Sequence, residues 1–190
     1  MTTFTFGGKG YAIVNDPKSW TAALADAQSL SVNGWSSGNL AVIESGSENA
    51  AIFNALSLAG VTSTAADGGG AIYAWIGLYQ GASPASSSQD WMWVSGSSSY
   101  TNWGNGVFGG SGPEPDDLDN VENGQQDFGA MGLTAWPISS PGSLGSAGEW
   151  NDLSGTNTLA YVVEFEAIPE PTVGLLVLLG TLGLSNRRAR

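Results

Sequence analysis

The sequence predicts an α+β domain with two helices, short antiparallel strands and one long Gly/Asp-rich loop. Three observations predict it. Two segments open on a serine and continue in helix-favouring residues, at Ser19 and at Ser45. Several short runs of aromatic and β-branched residues are divided by Gly and Ser turns. From Ser95 to Gly148 the chain is mostly Gly, Ser, Asn, Asp and Pro. So long a stretch with little regular structure, inside one domain, marks a functional loop or disorder.

The elements follow in order. Gly10–Val14 reads as a first strand. Ser19 N-caps an Ala-rich helix from Trp20 to about Leu30. Leu40–Ile43 is a short buried strand. Ser45-Gly-Ser-Glu48 is a capping box, in which serine and glutamate reciprocally satisfy orphan N–H groups at a helix start. The second helix then turns Ile52, Phe53 and Leu56 to one apolar face. Val61–Gly70, rich in Ser, Thr, Ala and Gly, is a loop. Ala71–Leu78 and Trp91–Val94 are strands of aromatic and branched residues, and Ala160–Phe165 closes the domain as another.

Composition narrows the function. The 190 residues fit one domain with a normal core. Only 12% are charged, and the net charge is −12. Between Met1 and Ala167 the only bases are Lys9 and Lys18. A body so poor in cations does not neutralise phosphates, which excludes nucleic acid and disfavours anionic membranes. With no Cys and no His, the chain has no disulfide, no cysteine nucleophile, no Ser-His pair and no Cys/His zinc site. Stability must come from packing.

The long loop carries Glu114-Pro115-Asp116-Asp117 and then Glu122, and Trp150-Asn151-Asp152 follows far along the chain. Carboxylates and an amide in that number are hard oxygen donors, as Ca²⁺ requires with its six to eight oxygen ligands. A solvated acidic loop is the competing explanation, as for most charge runs. The partner motif at Asn151-Asp152 favours the metal.

The order of motifs resembles the C-type lectin-like domain from about Gly10 to Glu166. Trp20–Ala27 is similar to the family's first helix, and Gly38–Ser45 with Glu48 to the entry of the second. Trp75-Ile-Gly-Leu78 stands as the central strand motif. Trp91-x-Trp93-x-x-Gly96, Tyr100 and Trp103 lead into a Pro-containing calcium loop, and Trp150-Asn-Asp152 with Tyr161–Glu164 complete the pattern. The tryptophans at 75, 91, 93 and 150 are expected in the core.

The resemblance implies a Ca²⁺ ion held by Glu114, Asp116, Glu122, Asn151 and Asp152, with a cis peptide before Pro115. It also implies that neighbouring hydroxyls of a sugar complete the coordination while hydrogen-bonding the same five residues. Glu-Pro-Asp matches neither the mannose-type Glu-Pro-Asn nor the galactose-type Gln-Pro-Asp, which leaves sugar class open. Leu118 stands where galactose-type sites often carry a stacking Trp; Trp136 is either a substitute or local packing. An auxiliary calcium would draw on Asp117 and Asn123, but Gln80 and Pro84 occupy positions where other members place acids. The family's disulfides are replaced by Ala27 with about Val163, and by a region near Gly124 and Gly155.

Residues 1–167 are therefore expected to form the lectin-like domain and 168–190 a separate segment. That segment runs Pro169-Glu-Pro171, an apolar stretch to Leu184, then Arg187, Arg188 and Arg190. About a dozen residues span roughly 18 Å as a helix, short of the roughly 30 Å hydrocarbon core. The order resembles the PEP-CTERM sorting tag of Gram-negative bacteria. It implies export, removal of the tail by an exosortase, only transient membrane contact, and release to the outer surface or extracellular matrix. A signal peptide is expected with such a tag, and Met1–Gly8 has neither its basic start nor its apolar core. The function expected is an exported, calcium-dependent carbohydrate-binding module, not an enzyme. The alternative is an extracellular structural or protein-interaction module on the same fold.

Overall fold

The computed structural model describes residues 1–82 and 84–166. The sorting segment expected at 168–190 lies outside the described residues. The elements are β1 (Thr2–Phe6), β2 (Lys9–Lys18), α1 (Trp20–Ser29), β3 (Ser31–Val32), β4 (Trp35–Ser36), β5 (Asn39–Leu40), α2 (Gly46–Leu58), β6 (Tyr73–Gln80), β7 (Trp91–Trp93), β8 (Phe128–Gly132), β9 (Trp150–Leu153) and β10 (Leu159–Phe165).

Period-2 alternation builds the core. In β6, Tyr73 and Trp75 face one way, while Ala74, Ile76 and Leu78 face the other. The first set packs with Trp20, Ala23 and Ala27 of α1, and the second with Ile52 and Leu56 of α2. β10 alternates in the same way, with Tyr161 and Val163 on the α1 side and Ala160 and Val162 on the α2 side. Eight strands join into one sheet of order β1-β2-β10-β6-β8-β9, with β5 beside β10 and β7 beside β6, while β3 and β4 pair separately. Its pairings are antiparallel except for β10 against β6.

Several sequence expectations hold in detail. Ser45 Oγ accepts from the Glu48 N–H at 3.2 Å, as a capping box requires. The Glu48 carboxylate accepts from the Glu44 N–H at 2.7 Å and from Tyr11 Oη–H at 2.5 Å. The helix start is thereby fastened to β2. Ala27 and Val163 are both fully buried in one apolar cluster, in the place expected of a disulfide.

Other elements differ. β1 precedes the expected first strand and pairs with β2 through Gly7 and Gly8, whose φ angles of 58° and 85° suit a tight hairpin turn. Its Phe4 stacks on Tyr11 at 4.9 Å. Leu40–Ile43 is strand only through Leu40, although Ala41 still donates to Val162 O at 2.9 Å. β8 lies within the stretch expected to be irregular. Its sequence Phe-Gly-Ala-Met-Gly is masked by glycines that the packing demands, because a Cβ at Gly129 would sit 2.8 Å from Leu78 Cβ.

Gly77 shows the same close approach at the centre of β6. A Cβ there would lie 2.6 Å from Leu40 O and 3.0 Å from Ala41 O, both backbone atoms that cannot yield. Gly77→Ala is expected to lose about 1–3 kcal/mol, the usual cost of overpacking. Urea denaturation measures this, and an unchanged midpoint would contradict the packing described.

Candidate functional site

The backbone brings distant acids together. β9 carries Asn151 and Asp152 alongside β8, and the 104–114 segment is bound to the same region through Gly104 N–H to Trp150 O at 2.9 Å and Glu114 N–H to Gly104 O at 2.9 Å. The Glu114–Pro115 peptide is cis, as the family resemblance implies. After Asp116 the chain turns sharply, with φ of 50° at Asp117 and 77° at Leu118. The turn directs the Asp116 and Asp117 N–H groups at Asp152, which accepts them at 3.2 and 2.8 Å.

Glu114, Asp116 and Asp152 converge, each offering an oxygen within 4.8 Å of the others. All three are buried, Glu114 at 8% exposure, Asp116 at 3% and Asp152 at 0%. No base accompanies them: Lys9 bridges Glu44 and Glu164, and Lys18 pairs with Asp16. Backbone donors compensate instead. Asp116 accepts from the Gly112 N–H, and from the Leu118 N–H at 2.8 Å. Glu114 Oε1 accepts from Trp136 Nε1–H at 3.0 Å. Glu114 Oε2 is buried without a partner. Glu114, Asp116, Asn151 and Trp136 line a cavity of about 30 Å³, room for an ion or a water-sized body.

The remaining expected ligands take different positions. Asn151 is buried and donates to Tyr73 Oη at 3.0 Å. Glu122 stands outside the cluster: its Oε2 accepts from Gln80 Nε2 at 3.2 Å and its Oε1 from the Gly124 N–H at 3.2 Å. Asp117 is fully buried and accepts backbone N–H groups from Asn123, Gly124 and Gln126 at 2.5, 3.0 and 2.6 Å. It folds the acidic loop back on itself. Gln80 Nε2 donates towards the carbonyls of Ser86, Ser87 and Gln89, which ties the 86–89 turn to the end of β6.

One contributor escaped the sequence. Asp67 accepts from the Ser154 N–H at 2.9 Å and from Asn157 Nδ2 at 2.7 Å, and its carbonyl accepts from Gln126. It lies in a Ser/Ala/Gly loop with no motif to mark it. Trp136 is fully buried and meets Tyr73 edge-on at 5.7 Å, so packing, not stacking on a ligand, occupies its ring.

No family model and no curated protein sequence matches the chain. Solved structures do. Human lithostathine aligns with a TM-score of 0.60 at 20% identity, covering 86% of this chain and 96% of the other. The C-type lectin CEL-I from Cucumaria echinata aligns at 0.58 and 22%, covering 87% and 96%. The carbohydrate-recognition domain of the mouse scavenger receptor C-type lectin gives 0.59 and 19%, covering 87% and 96%. The fold is the C-type lectin-like fold. Within it, the acidic cluster is able to hold a metal ion.

Without an ion, the cluster holds protons. Burial, then the charges of Asp152 and Asp116, push the Glu114 carboxyl from 4.5 up to about 9. Burial also raises Asp152, against the hydrogen bond it accepts from the Asp117 backbone. The folded chain therefore binds protons more tightly than the unfolded chain between about pH 4.5 and 9. Stability of the metal-free protein must fall as pH rises through that window. Melting in EDTA is expected to give a lower Tm at pH 8 than at pH 5, and Glu114→Gln is expected to flatten the difference. A Tm that rises over this range would contradict the shared burial of these acids.

Proposed function

We propose that this chain is an exported, calcium-dependent carbohydrate-binding module of C-type lectin-like fold. The observation that carries the calcium reading is Glu114 Oε2, a buried carboxylate oxygen with no hydrogen-bond partner beside Asp116 and Asp152. A divalent cation would satisfy that oxygen and cancel the mutual repulsion of three buried acids. Glu114, Asp116 and Asp152 would hold it, with Asn151 at the cavity wall. Glu122, engaged with Gln80, would hold the rim of the loop. The ion would supply charge neutralisation and order the 112–126 segment.

Support for a carbohydrate ligand comes from the fold and from the low cation content. Among similar structures, the cow CD23 domain was determined in the presence of a GlcNAc2Man3 oligosaccharide (TM-score 0.54, 20% identity). Binding rather than hydrolysis is favoured because Glu114 lies under Trp136 while Glu122 is held by Gln80, so the two do not flank a shared open site. Export to the cell surface or extracellular matrix, with an exosortase as processing partner, rests on the Pro-Glu-Pro, apolar and Arg-rich order of residues 168–190. No helix among the described residues is long and apolar enough to cross a membrane.

One observation favours a second reading, an extracellular protein-interaction module that binds no sugar. Val107, Phe108, Leu118 and Val121, all on the long loop, are exposed. A glycan array with and without Ca²⁺ separates the two: calcium-dependent glycan signal supports the first and counts against the second.

Isothermal titration with Ca²⁺ tests the metal directly. One site per chain is expected, abolished in Glu114→Gln with Asp152→Asn. At free Ca²⁺ near 100 times Kd, native stability is expected to rise by about 2.7 kcal/mol. A chain that takes up no Ca²⁺, or a double variant that binds it unchanged, would remove the metal from the proposal.

A further inference from the structure

Two side chains of the acidic cavity, Glu114 and Asn151, are each engaged by an aromatic residue through one polar atom only. Trp136 Nε1–H donates to Glu114 Oε1 at 3.0 Å, which leaves Oε2 buried and without a partner. An indole N–H is a donor only, so it holds a carboxylate oxygen and never competes for a cation. The choice of acceptor sets Trp136 apart within this molecule. The indoles of Trp20, Trp75 and Trp91 donate to backbone carbonyls, those of Ile76, Lys18 and Ser87. A carbonyl would have satisfied Trp136 equally, whereas a buried carboxylate is a costly acceptor. The pairing makes physical sense when the carboxylate is the group being positioned.

Tyr73 sets Asn151 in a similar way. Its hydroxyl donates its one hydrogen to Gly68 O at 2.8 Å, so toward Asn151 it can only accept. It accepts from Asn151 Nδ2 at 3.0 Å. That order of donors fixes which way round the amide stands. The nitrogen is committed to Tyr73, and the oxygen, the one atom of the amide able to ligate a hard cation, is left over. Glu114 and Asn151 both line the cavity beside Asp116.

The two aromatic residues are themselves firmly held. Both are fully buried, and their rings meet edge-on at 5.7 Å. The Trp136 N–H donates to Gly145 O at 3.0 Å, and the Leu144 N–H to Trp136 O at 3.1 Å. Glycines make the slot for the indole: a Cβ at Gly104 or Gly132 would lie 2.8 or 2.7 Å from its ring, and one at Gly145 closer still. A Cβ at Gly68 would come within 2.6 Å of the Tyr73 ring. Side chains locked in this way hold their polar tips in one place, as the support of a metal site requires.

We propose that Trp136 and Tyr73 are the positioning residues of the cation site. The indole presents Glu114 through Oε2 alone, and the phenol presents Asn151 through its amide oxygen; neither ring touches the ion. The assignment rests on the metal reading above. Losing such an outer partner typically costs 10–100-fold in metal affinity. Calorimetric titration of the full chain with Ca²⁺ is therefore expected to show at least tenfold weaker binding in Trp136→Phe and in Tyr73→Phe. Tyr73→Phe keeps the ring and its edge-on contact, so a role in packing alone predicts an unchanged Kd. ¹H–¹⁵N NMR of the indole groups supplies a readout that needs no metal. In EDTA the Trp136 Nε1–H resonance is expected to move in Glu114→Gln while those of Trp20 and Trp75 stay, and in the native chain it moves again on adding Ca²⁺. A native chain that takes up no Ca²⁺ would remove the metal reading and this role with it. An unchanged Kd in either variant that folds, or a Trp136 resonance indifferent to both Glu114→Gln and Ca²⁺, would overturn the positioning role and leave the metal reading standing.

Discussion

Three carboxylates buried together with no base among them are the constraint around which the long loop is organised. Isolated buried charges are among the most costly groups a protein can contain. This chain has only two lysines in its described body, and both are paired elsewhere. Backbone N–H groups must therefore do the work, and they do it only if the loop adopts one path. Gly112, Leu118, Asp116 and Asp117 all turn their N–H groups toward Asp116 or Asp152. The left-handed turn at Asp117 and Leu118 accompanies that convergence.

Acidic residues thus serve as organising centres of the irregular segments. Asp117 gathers Asn123, Gly124 and Gln126; Asp67 gathers Ser154 and Asn157; Glu48 joins α2 to Tyr11 of β2. A short acceptor side chain can satisfy several N–H groups in a turn, which gives an irregular segment defined geometry without regular structure. Gln80 plays the complementary part, the two hydrogens of its amide nitrogen shared among three carbonyls and Glu122. The 111–127 segment is held by polar hubs, and the sheet beneath it by apolar packing.

Much of the regular framework was legible because it follows periodic rules. Ser45 and Glu48 announce the second helix by their capping-box spacing, and β6 and β10 announce themselves by β-branched and aromatic content. β8 was not legible, because Gly129 and Gly132 are chosen for the room they leave to Leu78 and Trp136, partners remote in sequence. β1 was not legible because its alternation of Thr with Phe is too short to stand out. Within the site, Glu114, Asp116 and Asp152 were marked by motif, whereas the departure of Glu122 toward Gln80 was not. Motif spacing records which residues are near along the chain, not which donor captures a carboxylate.

The sequence by itself determined the α+β class, the two helices, the central strands and a set of candidate acids, three of which meet. Local propensity, capping and period-2 burial are properties of neighbouring residues, so they can be read in one dimension. Only the tertiary structure decided that those three acids are enclosed under Trp136 and that Asp67 and Asp117 anchor the loop. Burial and donor geometry depend on which distant segments pack together, and that is settled by the whole chain at once.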